Sequence, residues 1–326
     1  MKRLFFCLCF AMIFSLILGC STTVPMSVTR PANLEVPEAS SIAILPFQTG
    51  ITDSHAGSVN VNIIIDILNN SSKPTSSVTG ESSIANYVTT GLTSKFVTSP
   101  YFKLVDASVV TAAINNGREI PVDLYITGVI SGYQERIETY EVAENDIQYY
   151  LTVEFSIVYQ IVDSHTYQVL AYRTVDVDEV STNEYSKSDL PSPLSLVKSR
   201  LDSFISQVDK EFHPYTVTRS LTLLKDEEKH PDFKMANEYA KKGNLLQSEE
   251  LFYSIYKSTG NFAAGYNAAL LMQANGRLED GRDLLEELQE KTGREEALQA
   301  LREVNYELRQ AELVREQRER KAQGVN

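Results

Sequence analysis

The fold of this chain is decided by the stretch Tyr149-Tyr150-Leu151-Thr152-Val153-Glu154-Phe155-Ser156-Ile157-Val158-Tyr159-Gln160-Ile161. From Leu151 onward every odd position is apolar, and most even positions are polar. Because side chains alternate between the two faces of a β-strand, the pattern predicts a long strand with one buried face. Turn-forming residues at 163–166 and a second apolar run at 169–177 predict its hairpin partner.

Other strands and helices precede and follow this hairpin. Apolar runs predict strands over 41–47, 101–106 and from 124 to about 137, and helical spacing predicts helices over 82–99, 107–116 and 192–212. The order predicts a mixed-sheet, sandwich-like α/β domain, which we assign to residues 41–220.

A polar insert at 51–80 contains one further pattern of alternating side chains, from Val59 to Ile67. This pattern predicts an amphipathic strand. It is interpreted as an edge strand or flap on the domain, or as an element that meets a membrane or a partner.

The C-terminal part has an internal repeat with an offset of 33 residues, close to the tetratricopeptide period. Small residues would let paired helices approach closely, and glycines would occupy the turns between them. The repeat predicts an all-α, tetratricopeptide-like helical domain over 231–320, in which residues 294–320 form a capping helix. The matching positions are Ala236, Gly243, Ser248 and Phe252 with Ala269, Gly276, Gly281 and Leu285.

The N-terminus resembles a bacterial lipoprotein signal. A basic start, an apolar run over 4–18 and Gly19-Cys20 predict a signal peptide at 1–19 and a lipidated Cys20 bearing fatty acids such as palmitate. The alternatives are an ordinary secretory signal with a chance cysteine and an uncleaved membrane anchor. Ser21 rather than Asp after the cysteine favours the outer membrane, with the protein facing the periplasm. The Ser-, Thr- and Pro-rich residues 20–40 are interpreted as a lipidated tether.

Charge and cysteine content limit the possible partners. Removal of Lys2 and Arg3 with the signal lowers the formal net charge from −13 to −15. Such an acidic chain is a poor candidate for nucleic-acid binding. The three cysteines are Cys7, Cys9 and Cys20, of which two leave with the signal, so no disulfide is expected.

Sequence signatures of catalysis are absent. The four histidines, His55, His165, His213 and His230, are not spaced with cysteines or carboxylates as metal ligands would be. The chain also lacks a glycine-rich phosphate loop and a nucleophile elbow. We therefore expect no enzymatic activity, no cofactor and no metal site.

Several motifs, in order, resemble a family of envelope proteins. Ile42-Ala43-Ile44-Leu45-Pro46-Phe47 is similar to the first strand of curli-secretion (CsgG-type) lipoproteins, penicillin-binding-protein activator lipoproteins and the TolB N-terminal domain. Phe102–Asp106 and Asp123–Gly128 are similar to later strands of that family. Asp163–Thr166 is similar to its hairpin turn, with Tyr167 where the family has glycine.

The resemblance implies an envelope lipoprotein with a partner-binding α/β domain and no catalysis. The leading hypothesis is a membrane-anchored scaffold or assembly factor, with binding grooves on both domains for other envelope proteins. The alternatives are a subunit or accessory of an outer-membrane secretion channel of the curli type and an activator of a peptidoglycan synthase. A homo-oligomer is compatible with each hypothesis.

Overall fold

The computed structural model describes residues 22–36, 38–51, 79–143, 146–226 and 228–324. Cys20 and the predicted strand Val59–Ile67 lie outside these residues. The chain divides into two compact units. The α/β unit comprises residues 32–213 and 317–326, and the helical unit comprises residues 1–31 and 214–316.

Strands dominate the first part of the chain and helices the last part, which confirms the predicted fold class. In chain order the elements are β1 (Thr23–Arg30), β2 (Ser41–Ile44), β3 (Gln48–Ile51), α1 (Thr79–Val97), β4 (Lys103–Leu104), α2 (Ala107–Asn115), β5 (Leu124–Ala143), β6 (Asp146–Asp163), β7 (Val169–Glu184), α3 (Pro193–Phe212), β8 (Tyr215–Thr222), α4 (Phe233–Lys241), α5 (Leu245–Thr259), α6 (Phe262–Ala274), α7 (Leu278–Thr292) and α8 (Glu295–Gly324).

The α/β unit is built on one mixed sheet in the order β4-β2-β5-β6-β7, with β3 also paired to β5. Strands β2, β3 and β4 run parallel to their partners, whereas β5, β6 and β7 form antiparallel hairpins. Helices α1 and α3 cover one face through a core that contains Ile126, Ile157 and Phe204. Helix α2 packs on the other face around Val110 and Tyr125. Ser192 caps α3 by accepting a hydrogen bond from the Ser195 amide.

The turn between β6 and β7 matches the predicted chemistry. The Asp163 carboxylate accepts the backbone N–H groups of His165 and Thr166. Tyr167 adopts a left-handed backbone conformation, with φ of 57°. The backbone therefore keeps the geometry that suits glycine, although a bulky residue occupies the position.

Residues 23–30 differ from the predicted tether, because they form strand β1, which pairs antiparallel with β8 from Thr23↔Thr222 to Arg30↔Tyr215. Val24 and Met26 are buried, so burial of alternate apolar side chains fixes this segment. We call β1 and β8 together the ribbon. Because β8 belongs to the helical unit, the first segment of the α/β unit ends at His213.

The 33-residue offset relates equivalent positions in two helix pairs, α4–α5 and α6–α7. Gly243 and Gly276 both have positive φ, 78° and 84°, at the turn inside each pair. Ser248 donates to the Ala236 carbonyl at 2.8 Å, and a Cβ on Gly281 would lie 2.7 Å from the Ala269 carbonyl. Phe252 and Leu285 are both fully buried. The predicted small residues therefore lie where the paired helices approach most closely.

Candidate functional site

The ribbon packs against the helix pairs, in contact with α4 and α6. Side chains of β1 and β8, including Met26 and Leu221, share one apolar core with α4 and α6. Helix α6 has 13 residues, and 11 of them are buried, so it has no open side. The groove that we predicted for partners on the helical repeats is therefore filled at α6 by the chain itself. The reason is that β1, interpreted as a tether, has a buried apolar face.

Two amide side chains, Asn267 of α6 and Asn261 at its N-cap, hold the segment that follows β8, and Asn261 donates to the Asp226 carboxylate at 3.0 Å. Asn267, fully buried, accepts the Leu224 N–H at 2.7 Å and donates to the Leu224 carbonyl at 2.9 Å. Both backbone groups of one extended residue are thus satisfied by one side chain. Helix α6 therefore binds a segment of its own chain through these two backbone hydrogen bonds, and the Leu224 side chain packs against the same core.

A buried carboxylate anchors the far end of the ribbon. Glu307 of α8 is 2% exposed and accepts two hydrogen bonds from Arg30, at 2.5 and 2.8 Å, and one from Arg219 at 2.5 Å. Burial acts to raise the pKa of Glu307, but the bonds from Arg30 and Arg219 outweigh it and lower this pKa. Arg30 also lies 5.3 Å from the centre of the Tyr306 ring. One carboxylate therefore joins both strands of the ribbon to α8.

The far ends of β5, β6 and β7 form an exposed surface of the α/β unit, although Leu151 and Val153 of β6 remain in the core. Both hairpins change register at the level of Phe155, and Gly132 has a positive φ of 63° at the bulge in β5. Beyond this level every β5 residue from Gln134 to Ala143 is exposed. We call residues 133–143, 146–154 and 178–184 the hairpin extension.

The hairpin extension combines exposed apolar side chains with a high density of acids. Ile137, Tyr140, Val142 and Ile147 are 45%, 51%, 57% and 47% exposed. The Tyr140 and Tyr150 rings pack edge to face, with centroids 4.9 Å apart. Arg136 is the sole base of the extension, and it pairs with Glu154 at 3.5 Å. The acids are Glu135, Glu138, Glu141, Asp146, Glu154, Asp178, Glu179 and Glu184.

One edge of the hairpin extension is open in the part of the chain that the structure describes. Strand β3 pairs with β5 only as far as Ser131, and beyond that point β5 pairs with β6 alone. The outer N–H and C=O groups of residues 133–143 therefore have no strand partner among the described residues. Such an edge can accept an added strand.

Asp123, part of a motif that carries the family resemblance, organises the other end of the sheet. One of its carboxylate oxygens accepts the N–H and hydroxyl groups of both Ser40 and Ser41, and the other lies 3.1 Å from His165 Nε2. Burial acts to raise the pKa of Asp123, but the bonds from His165, Ser41 and Ser40 hold it far below its ordinary value. Ser41 and His165 bond to different carboxylate oxygens, so Asp123 fixes the start of β2 and aligns no nucleophile with a base.

Replacing Asp123 by asparagine should destabilise β2 by about 1–3 kcal/mol at pH 7, because an amide NH₂ in place of one carboxylate oxygen would face other donors. A carboxyl group whose pKa is lower in the folded than in the unfolded state stabilises the fold at pH values above its unfolded pKa of about 4. This stabilisation is lost as the pH falls through the folded pKa. The difference between wild type and Asp123→Asn should therefore shrink as the pH falls below about 4. Hydrogen exchange of residues 41–44 between neutral and acid pH measures it. A constant difference at all pH values would contradict this assignment.

Other features of the described residues suggest no chemistry. A cavity of about 390 Å³ lies beside the carboxyl ends of β2 and β4, but its carboxylate, Asp106, already caps α2 through Ser108. Within residues 22–324, apart from the gaps given above, no three metal-ligating side chains cluster. The same residues include no helix long and apolar enough to cross a bilayer.

The predicted repeat-packing residues, from Ala236 to Leu285, lie at the contacts and turns of the helix pairs. Sequence reasoning missed the ribbon and the hairpin extension. The hairpin extension was missed because charged and apolar residues are mixed along residues 134–143 of β5, all of which are exposed. The period-two pattern of Val24, Met26 and Val28 could have revealed the ribbon.

Comparisons with known proteins give remote structural similarity alone. No family model matches the sequence, and no curated protein matches it. A PelC dodecamer structure from Paraburkholderia phytofirmans is similar over 59% of this chain and 98% of its own, with 9% identity and a TM-score of 0.27. The lipoprotein GNA1162 from Neisseria meningitidis is similar over 52% of this chain and 97% of its own, with 14% identity and a TM-score of 0.24.

A putative neuraminyllactose-binding hemagglutinin homolog from Helicobacter pylori is similar over 56% of this chain and 87% of its own. Its identity is 9% and its TM-score is 0.32. TM-scores in this range carry no argument about function, so the argument for function rests on the surfaces of this chain.

Proposed function

We propose that this protein is a lipid-anchored, non-enzymatic scaffold or assembly factor of the bacterial cell envelope, and that its partner docks on the hairpin extension. The observations that carry the proposal are exposed apolar side chains on both faces of the extension, Ile137 and Ile147 on one face and Tyr140 on the other. They lie along a β5 edge that has no strand partner among the described residues. Exposed apolar groups within a polar surface are typical of protein–protein contact sites. Lipidation of Cys20 in the outer membrane and the tetratricopeptide-like interpretation of the helix pairs belong to the same proposal.

The charge of the hairpin extension indicates the charge that its partner should have. Eight carboxylates and one arginine surround the apolar side chains. A partner that adds a strand to the edge of β5 would therefore have a basic surface, because complementary charge favours encounter and like charge opposes it. A second copy of this acidic chain is disfavoured at this surface, since two identical extensions would repel each other.

The secretion-channel alternative finds less support in the same residues. A strand in contact with lipid needs a row of apolar side chains on one face. In the exposed part of β5, Glu135 and Glu141 lie on one face, and Arg136 and Glu138 lie on the other. The third hypothesis, activation of a peptidoglycan synthase, is a special case of the scaffold and depends on which partner is captured.

Photo-cross-linking in cells tests the docking surface. A benzophenone analogue of phenylalanine would replace Tyr140 in one strain and Tyr167 in another. The two tyrosines are similarly exposed, at 51% and 57%, and lie at opposite ends of β6. We expect a specific adduct from position 140 and none from position 167, and we expect the cross-linked peptide of the partner to be basic.

Charge reversal provides the second arm of this experiment. Glu138→Lys with Glu141→Lys should reduce the adduct at position 140 by about tenfold, because like charges then face each other. The double variant should fold normally, since surface substitutions change stability by about 0.5 kcal/mol or less. An adduct yield equal at positions 140 and 167, or unchanged by charge reversal, would rule out the hairpin extension as the docking site.

A further inference from the structure

The described residues begin two positions after the predicted lipidation site. The Thr22 carbonyl accepts the Leu223 N–H at 2.8 Å, and Thr23 opens β1 opposite Thr222. Two residues span at most about 7 Å. If Cys20 carries lipid, as the proposed function requires, this end of the ribbon lies within that distance of the membrane anchor. The predicted tether over residues 20–40 is therefore shortened, because residues 23–30 are built into the fold.

A pocket of about 330 Å³ opens beside the same end of the ribbon. Thr222 and Leu224 form one wall, and Phe262 and Ala263, at the start of α6, line it with apolar surface. The Arg294 guanidinium lies 4.2 Å from the centre of the Phe262 ring and donates to Glu296. The pocket therefore has an apolar lining beside a fixed ion pair.

The charged residues that line the pocket are balanced in sign. Lys225 and Arg294 supply two cations, and Glu228 and Glu296 supply two carboxylates. A ligand with one phosphate and one ammonium group would meet charges of both signs, whereas a purely anionic ligand would also face the two carboxylates. The acidic net charge of the chain adds to the second effect.

We propose that this pocket binds the headgroup of a zwitterionic phospholipid and that the helical unit lies against the bilayer with this end of the ribbon first. The phosphate would contact Lys225 and Arg294, the ammonium group would contact the carboxylates, and the glycerol would pack on Phe262. Because Cys20 and Thr22 are only two positions apart in the chain, a lipid on Cys20 would hold the pocket near the headgroup layer. The inference rests on lipidation of Cys20, which is part of the proposed function.

The orientation is tested with full-length lipidated protein in phosphatidylethanolamine–phosphatidylcholine vesicles that contain a nickel-chelating lipid. Because Cys7 and Cys9 leave with the signal and Cys20 is blocked by lipid, Ser220→Cys and Thr216→Cys each provide one reactive thiol. Both positions are exposed on the same face of β8. A nitroxide at 220 should be relaxed about threefold more than one at 216, which lies about 13 Å further along the strand.

Two arginine variants test the pocket itself. Arg294→Glu should bring the ratio of nitroxide relaxation at position 220 to that at position 216 close to one. Arg282→Glu, at a partly exposed position on α7, should leave this ratio unchanged. Vesicles of phosphatidylglycerol alone should lower the ratio in the unaltered protein. A ratio near one in that protein would overturn the orientation, and a ratio that survives Arg294→Glu would overturn the headgroup site.

Failure of the proposed anchor is recognised separately. Cys20→Ala should abolish incorporation of labelled palmitate and leave the protein unbound to vesicles. If the unaltered chain incorporates no palmitate, the lipid anchor of the proposed function is wrong. If it does so and still shows no preference between positions 220 and 216, the present inference alone is wrong.

Discussion

Glu307→Ala should lower the free energy of unfolding of the helical unit by about 3–5 kcal/mol. The Glu307 side chain is 1% exposed, and it is the carboxylate shared by Arg30 and Arg219. Alanine would leave the Arg30 guanidinium, itself 13% exposed, without its charged partner. A buried charge without a partner destabilises a fold far more than a surface ion pair stabilises it.

Glu303 supplies the matched control for this prediction. It lies one turn earlier on α8 and also contacts Arg219, at 3.0 Å, but its side chain is 45% exposed. Glu303→Ala should change stability by about 1 kcal/mol or less. Hydrogen exchange of the β8 amides, residues 215–222, measures both variants in the element that Glu307 holds. Equal losses in the two variants would mean that Glu307 does not anchor the ribbon.

Phe96→Ala should destabilise the α/β unit by a similar amount, about 3–5 kcal/mol. Phe96 is buried where α1 meets α3, with its ring centroid 5.1 Å from that of Phe212 and 6.0 Å from that of Phe102. Removal of the ring leaves a cavity beside aromatic side chains that are fixed by the surrounding elements and cannot close it fully.

The adjacent residue provides the control for Phe96. Val97 is 65% exposed on the same helix, and Val97→Ala should change stability by about 0.5 kcal/mol or less. Hydrogen exchange of β2 and β5, which the same core covers, would report both variants. A loss at Val97 as large as that at Phe96 would contradict the packing of α1 on α3.

The sequence was sufficient to predict elements whose pattern is local. Strand β6 was visible from its alternating side chains, and its observed limits, Asp146–Asp163, extend the prediction at both ends. Helix α3 was predicted from the helical spacing of its apolar residues. Gly243 and Gly276 were predicted as turn residues because they occupy equivalent positions in the two copies of the repeat. In each case the information lies within a few residues or in an internal copy.

Nonlocal pairing explains what the sequence did not reveal. Strand β1 is rich in Ser, Thr and Pro, and it becomes a strand because β8, far along the chain, pairs with it. Because of this pairing, β8 belongs to the helical unit, and the ribbon occupies the surface of α6 where a partner groove was predicted. The hairpin extension was missed because its strands contact the core at one end only, so burial imposes no simple pattern on Glu135 to Ala143. The repeat residues were predicted as packing residues, and they lie at the contacts and turns of the helix pairs.

The ribbon also imposes an order of events on the making of this protein. Strand β1 is synthesised first, and its partner β8 follows only after residues 31–214 have been made. Domains fold as their residues emerge, so β1 must wait with its apolar side chains unpaired while the strands and helices of the intervening segment assemble. Val24 and Met26 are then covered late, when α4 and α6 appear. The region beside the predicted lipid attachment site is thus made long before its partner strand and is among the last to become native.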